Sequence, residues 1–191
     1  MADPRPPAPV LLVVAAFSRH AAALDWGRER LERTCGPVAL ASAPFDFHHT
    51  AYYEAAMGSG LRKCLFAFRD LVSPDCLPAL KLHTNSIEAE AAGGGTYPER
   101  RPLNLDPGVL SLGKFVLATT KDQAHRVYLR DGIFAEVTLR FEAGAFEPWP
   151  WTYADYREGI VREFLREARD YYRGRLRERE TTGGEGRSCG L

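Results

Sequence analysis

The residues best able to do chemistry in this 191-residue chain are concentrated between positions 101 and 141. Lys121, His125 and Arg126 place up to three cations within six residues, and Glu136 follows on a segment with the pattern of a strand. An arginine can hold a phosphate or a carboxylate through two parallel hydrogen bonds. These residues indicate a site for an anionic ligand, but they are equally compatible with an Arg126–Glu136 cross-strand ion pair beside a solvated lysine.

Within this site, Glu136 and His125 are the predicted catalytic residues. Both can exchange a proton with a ligand, and an imidazole does so close to neutral pH. A single histidine at the start of a strand is also typical of a packed or capping residue. Both interpretations of His125 therefore stay open.

Asn104 and Asp106 lie two positions apart, so an extended segment would point both side chains the same way. Together with Glu136 they could supply the oxygen ligands that magnesium or manganese prefers. Alternatively, Asn104 braces a turn and Asp106 caps a helix whose first residue is Pro107. The cap is the favoured interpretation of Asp106. No metal is therefore predicted, and no cofactor can be named.

Four further residues are predicted to bind the ligand. Lys81 and Asn85 are four positions apart and share one face of a predicted helix, although a polar surface stripe would look the same. Tyr128 and Thr138 lie on the polar face of a predicted hairpin.

The hairpin must position most of these side chains, and Asp131-Gly132 indicates its turn. A three-residue loop, 130–132, pairs Leu129 with Ile133 and Val127 with Ala135 and so gives one apolar face for the core. The opposite face then carries the functional side chains Arg126, Tyr128, Phe134, Glu136 and Thr138.

The other elements suggest a single α+β or α/β domain over residues 10–179, with disordered tails at 1–9 and 180–191. We expect a mixed sheet of about five strands with helices on one face, built as a ferredoxin-like core plus a hairpin and a C-terminal helix. Residues 109–120 are ambiguous, and a helix is favoured over a strand. The predicted strands lie at 10–17, 38–45 and 61–69, and the predicted helices at 18–35, 52–57, 73–92 and from a Thr152–Asp155 capping box to 179.

Composition excludes several classes of function. The 25 basic and 25 acidic residues balance, so no overall positive charge favours nucleic acid. No apolar run approaches the roughly 20 residues that a membrane helix needs. The four cysteines form no Cys-x-x-Cys pair, which indicates reduced thiols in a cytoplasmic protein.

The motifs of this chain resemble an uncharacterised prokaryotic family, domain-of-unknown-function family 4416. The resemblance covers roughly residues 10–173, and the chain departs from the family pattern at Val109, Gly113 and Ala154. It implies a cytosolic single-domain protein, and some family members carry a GTP-binding label. The motifs that carry the resemblance are Tyr52-Tyr53-Glu54, 81–85, 101–108, 117–126, 131–139 and 148–156.

GTP hydrolysis is not predicted for this chain. No Lys-Ser/Thr pair follows Gly93-Gly94-Gly95, and Thr120-Lys121-Asp122 lacks the spacer of a guanine-binding motif. Two functions remain. One is an enzyme or binding protein for a small anionic ligand, nucleotide-like ligands among them, and the other is a non-catalytic module that binds another protein. The first requires the polar residues to converge in one cavity, whereas the second would spread them over a flat face.

Overall fold

The computed structural model describes residues 3–48 and 53–182. Residues 3–9 are in neither a helix nor a strand, and the domain begins with the first strand. The strands are β1 (Val10–Ser18), β2 (Val38–Ala41), β3 (Phe45–Asp46), β4 (Arg62–Val72), β5 (Asn104–Leu110), β6 (Lys114–Thr119), β7 (Val127–Arg130), β8 (Ile133–Glu142) and β9 (Ala145–Pro148). The α-helices are α1 (Ala21–Cys35), α2 (Glu54–Met57), α3 (Leu77–Gly93) and α4 (Gly159–Thr182), and short 3₁₀ turns span Pro74–Cys76 and Ala154–Arg157.

The nine strands of the described residues all belong to one sheet. Seven follow the order β2-β4-β1-β5-β6-β8-β7, while β3 pairs with β4 and β9 pairs with β8. Every pairing is antiparallel, so the α+β class is confirmed and the prediction of a mixed sheet of about five strands is wrong. The favoured helix at 109–120 instead supplies the end of β5 and all of β6.

The first half of the sheet has a simple connectivity. Apart from the short β3 and α2, its elements follow one another as β1-α1-β2-β4-α3-β5. The strands lie side by side as β2-β4-β1-β5. This β-α-β-β-α-β chain order is the one expected of a ferredoxin-like core.

Helices cover both faces of the sheet, so the predicted one-sided cover is wrong. Alternate residues of β1 enter two different cores: Leu12 and Val14 pack beneath α1 and α3, whereas Leu11 and Val13 pack beneath α4. A strand that is apolar at every position needs cover on both sides. The continuous apolar run at 10–17 already implied cover on the second face of the sheet.

Strands β5 and β6, joined by a turn at 111–113, replace the helix favoured for residues 109–120. Pro107 pairs with Val14 of β1, whereas the pairing of β5 with β6 begins one residue later, at Gly108. A proline without an N–H group is tolerated where the ladder is incomplete. Asp106 caps nothing, because its carboxylate is hydrogen-bonded to Lys81 and Asn104 instead.

The β7–β8 hairpin keeps the predicted pairing of Val127 with Ala135. Its turn differs, because Asp131 and Gly132 both have positive φ (56° and 74°) and a bulge lets Arg130, rather than Leu129, face Ile133. The predicted burial of Val127 and Leu129 is wrong. These side chains are 68% and 39% exposed, because β7 is the last strand of the sheet.

The aromatic segment before α4, residues 149–153, folds back on the sheet. The Thr152 hydroxyl donates to the Thr138 carbonyl and accepts the Trp149 N–H, so it caps no helix. The predicted capping box is therefore wrong, and α4 begins only at Gly159. No described helix combines the length and apolar character needed to cross a membrane.

Candidate functional site

A cavity of about 450 Å³ lies where β5 and β6 separate. The two strands pair only through 108–110 and 115–117. Beyond that point β5 continues along β1 as far as Asn104, while β6 continues along β8 as far as Thr119. We call this opening the β5–β6 fork.

The fork interrupts the sheet, so side chains from elements on both faces of the sheet reach the same cavity. Lys81 and Asn85 come from α3 on one face, whereas Tyr153 and Asp155 come from the segment that leads to α4 on the other. The cavity is lined by the cations Lys63, Lys81, Arg101 and Lys121, by the carboxylates Asp106, Glu136 and Asp155, and by the aromatic residues Phe17, Phe47, Tyr53, Tyr153 and Tyr156.

Lys63 is the most buried of these cations, with a side chain 1% exposed. It is the second residue of β4 and lies opposite Phe17, and its ammonium donates a hydrogen bond to Asp155. The same ammonium lies 4.1 Å from the centre of the Tyr156 ring, a distance at which the ring stabilises a cation. Burial, followed by the charge of Asp155, raises the pKa of Tyr156 well above its ordinary value, so this phenol stays protonated.

Lys81, Asn104 and Asp106 form a second group on the β5 side. The Lys81 ammonium donates to the Leu105 carbonyl at 3.0 Å and to Asp106 Oδ1 at 3.2 Å. Asn104 Nδ2 donates to Asp106 Oδ2 at 2.7 Å. Burial works to raise the pKa of Asp106, but the charges of Lys81 and Lys63 and these hydrogen bonds outweigh it and lower that pKa. Asp106 is therefore a carboxylate.

Arg101 completes this side of the cavity. Its Nε and Nη2 donate to Glu88 Oε2 at 3.1 and 2.7 Å, and Nη2 also donates to Asn104. Glu88 in turn accepts the N–H of Leu105 at 2.7 Å, which ties α3 to β5. Burial raises the pKa of Glu88 despite the nearby charges of Lys81 and Arg101.

On the β6 side, Glu136 lines the cavity while Arg126 lies behind it. Both side chains are 1% exposed, and Arg126 Nε donates to Glu136 Oε2 at 2.9 Å. Arg126 also donates to the Lys121 carbonyl at 2.9 Å and to the Tyr153 hydroxyl. Arg126 therefore positions three groups of the cavity wall rather than lining it.

His125 reaches the cavity only through Glu136. Its Nε2 lies 3.2 Å from Glu136 Oε2, and its ring stacks on Trp151 at 5.4 Å between centroids. Thr138 is fully buried, and its hydroxyl donates to Glu136 Oε1 at 3.4 Å. His125 and Thr138 therefore position the Glu136 side chain without lining the cavity themselves.

The structure thus divides the ten predicted site residues into three sets. Tyr128 is remote from the cavity, 58% exposed on β7 and packed edge-on against Phe134. His125, Arg126 and Thr138 contact Glu136 outside the cavity. The six that line it are Lys81, Asn85, Asn104, Asp106, Lys121 and Glu136.

Sequence reasoning missed Lys63, Asp155 and Arg101 as site residues. Lys63 directly follows Arg62 at the start of an apolar segment, so nothing in the local sequence marked it as the buried member of the two. Asp155 was assigned to a helix cap, and its real partner is 92 residues away in the chain. Arg101 belongs to the 101–108 motif, which was expected to form part of the site, but Arg101 itself was given no role.

The polar groups do not form an evident metal centre. In residues 3–48 and 53–182, no group of three or more His, Cys, Asp and Glu side chains is placed to hold a metal ion. Both Asp106 oxygens are instead hydrogen-bonded within the protein, to Lys81 and Asn104.

Comparison with known proteins identifies the family alone. No curated protein and no solved structure matches the chain significantly. A family model described as a domain of unknown function, DUF4416, matches residues 8–172 and so includes every residue of the cavity wall. The chain belongs to the DUF4416 family.

Proposed function

We propose that this protein binds a small anionic ligand that bears a phosphate or a carboxylate, nucleotide-like ligands among them, in the β5–β6 fork. The observation that carries the proposal is that charged and aromatic side chains converge on one cavity. Segments between Phe17 and Tyr156 direct four cations and five aromatic side chains into one concave space. A volume of about 450 Å³ falls within the usual range of small-molecule sites.

The energetics of buried charge support a ligand-binding role. Removing an ion pair from water costs several kcal/mol per ion, and apolar side chains of similar size often stabilise a fold equally well. Yet Lys63–Asp155 and Arg126–Glu136 are both largely buried at the edge of the same cavity. Their position beside an open space is expected if a ligand uses the charges.

If the protein also catalyses a reaction of its ligand, we propose that Glu136 is the group that transfers a proton. Glu136 lines the cavity, whereas His125 does not and contacts Glu136 Oε2. We therefore assign His125 a positioning role. Transfer of GTP phosphates is not part of the proposal, because the sequence lacks the glycine-rich loop that holds them.

We also propose a cytoplasmic location. Within the described part of the chain, Cys35, Cys64 and Cys76 form no disulfide. Burial raises the pKa of the Cys64 thiol to about 12, so it is unreactive. Thiols kept in this state are typical of reducing compartments.

A thermal-shift titration tests ligand binding, because a ligand of the folded state raises the melting temperature with its concentration. The probes are inorganic phosphate, nucleoside monophosphates and simple carboxylates. Lys121→Ala removes a cation from the cavity wall, and Lys114→Ala removes an exposed lysine at the start of β6, the strand that precedes Lys121. We expect at least one probe to stabilise wild type and Lys114→Ala more than Lys121→Ala. Equal shifts in all three proteins contradict the proposal.

A second candidate function is protein binding at the edge strand β7. The exposed apolar side chains of Val127, Tyr128 and Leu129 lie there in succession, on the last strand of the sheet. Such an edge can accept a strand from another chain. A Val127→Lys variant that loses a partner bound by wild type would support this function, and it would leave ligand binding in the fork unchanged.

A further inference from the structure

A buried hydroxyl group without a partner belongs to the wall of the cavity. Tyr156 is 2% exposed, and its hydroxyl makes no hydrogen bond to any residue in 3–48 or 53–182. Among the buried side-chain polar atoms of these residues that lack a partner, it is the one that belongs to a residue lining the β5–β6 fork. A polar group buried without a hydrogen bond costs stability, so its presence here requires an explanation.

The surroundings of Tyr156 hold its ring in the core and its hydroxyl among the charges of the cavity. The ring stacks on Phe115 at 5.9 Å between centroids. Burial, followed by the charges of Asp155 and Asp106, raises the pKa of Tyr156, so the hydroxyl keeps its proton. Both carboxylates line the cavity, and Tyr156 is therefore a permanent hydrogen-bond donor beside it.

The carboxylates that line the cavity are already engaged with other donors. Each of the three accepts hydrogen bonds from side chains other than Tyr156. The donors are Lys63 to Asp155, Lys81 and Asn104 to Asp106, and Arg126 and Thr138 to Glu136. The phenol is thus a donor that the described residues do not use, and a molecule in the cavity can supply its acceptor.

Resting on the proposed function, we propose that Tyr156 is a ligand-binding residue whose hydroxyl donates a hydrogen bond to an oxygen of the ligand's phosphate or carboxylate. The Lys63 ammonium, 4.1 Å from the centre of the same ring, places a positive charge close to that oxygen. A hydrogen bond to an ionised oxygen is about twice as strong as one to a neutral oxygen. The contact therefore favours an anionic group over a neutral hydroxyl or amide of the ligand.

A binding role predicts that one substitution affects stability and affinity differently. Tyr156→Phe removes only the hydroxyl and keeps the ring that packs on Phe115. Because the hydroxyl is unpaired in the free protein, the melting temperature of the free protein should stay unchanged or rise. The affinity for an anionic ligand should fall about tenfold, because the complex loses a hydrogen bond to a charged group.

Tyr172 provides a matched control. It is buried to the same extent, 2% exposed, and belongs to the same core cluster as Tyr156. Its hydroxyl, however, donates to the Pro9 carbonyl at 2.7 Å, and the residue does not line the cavity. Tyr172→Phe should therefore lower the melting temperature and leave ligand affinity unchanged.

Thermal unfolding and calorimetric titration of the full chain measure both quantities in wild type and in the two variants. The titrated probes are inorganic phosphate, adenosine 5′-monophosphate and benzoate. A Tyr156→Phe protein that melts below wild type would show that the hydroxyl has a structural partner and would overturn the inference. Equal probe affinities of Tyr156→Phe and wild type would also overturn it, while the proposed anion site would stand.

The remaining outcomes concern both proposals. If none of the three probes binds wild type, the proposed function and this inference fail together. Weakened probe binding in a Tyr156→Phe protein that is at least as stable as wild type, with unchanged binding in Tyr172→Phe, supports both.

Discussion

The two ends of the β5–β6 pair differ although the same two strands form both. At the closed end, residues 108–110 pair with 115–117, and the Phe115 ring is fully buried against Tyr156. At the open end, the strands follow different neighbours and charged side chains occupy the space between them. The change takes place at Pro107, which has no N–H group to continue a ladder.

This difference separates two tasks within one pair of strands. The closed end packs apolar groups and stabilises the fold, whereas the open end holds charges that would be stabilised better by water. The free energy of unfolding should therefore respond differently to mutations at the two ends.

The largest effect is expected from breaking an ion pair at the open end. Arg126→Met leaves Glu136 buried without its cation, which should lower the free energy of unfolding by about 3–5 kcal/mol. Urea unfolding measures the change. The double variant Arg126→Met/Glu136→Leu should recover most of it, because no unpaired charge remains. Arg130→Met, at an exposed arginine four positions further on, is the control. A double variant as unstable as Arg126→Met would contradict this account.

A smaller loss is expected from overpacking the closed end. A Cβ atom on Gly108 would lie 2.6 Å from the Phe115 ring and 2.7 Å from the Val116 carbonyl oxygen. Gly108→Ala should therefore destabilise the protein by about 1–3 kcal/mol in the same measurement. Gly113→Ala, in the turn of the same hairpin, meets no atom within 4 Å and should have little effect. Equal effects of the two substitutions would show that the closed end is not tightly packed.

The third effect depends on pH. Because the pKa of Asp106 is lowered in the folded protein, its ionised form stabilises the fold above its unfolded pKa, roughly 4. That contribution is lost as the pH falls through the folded pKa. Asp106→Asn should cost on the order of 1 kcal/mol at pH 7, and the difference from wild type should shrink in acid. A difference that stays constant from pH 7 to pH 2.5 would rule out this origin.

The smallest effect is expected at Lys121, which is exposed. Lys121→Ala should change the free energy of unfolding by less than about 0.5 kcal/mol while it weakens anion binding. Parallel urea unfolding and probe titration give both values. A large loss of stability would make Lys121 part of the scaffold and would remove it from the ligand site.

The sequence predicts those features that depend on local patterns. The apolar run of β1, the Val127–Ala135 register and the common helical face of Lys81 and Asn85 all follow from periodicity and turn residues. The family resemblance was likewise available from short motifs, and the match over residues 8–172 confirms it.

The remaining features depend on partners that are distant in the chain. Asp106-Pro107 has the local signature of a helix start, but the contact with Lys81, 25 residues earlier, and the pairing with β1 outweigh it. Lys63 and Asp155 are separated by 92 positions, so neither predicts the other. Whether a given strand becomes the edge of a sheet, as β7 does, is likewise decided by the whole topology.

The β5–β6 fork has one further consequence, for the kinetics of binding. β5 is held along its whole length by β1, and β6 is held by β8, so the cleft exists before any ligand enters it. A ligand therefore need not order a segment of chain, and the entropic cost of such ordering does not reduce its affinity. Association should then be a single fast step, with differences between ligands expressed in how slowly they dissociate.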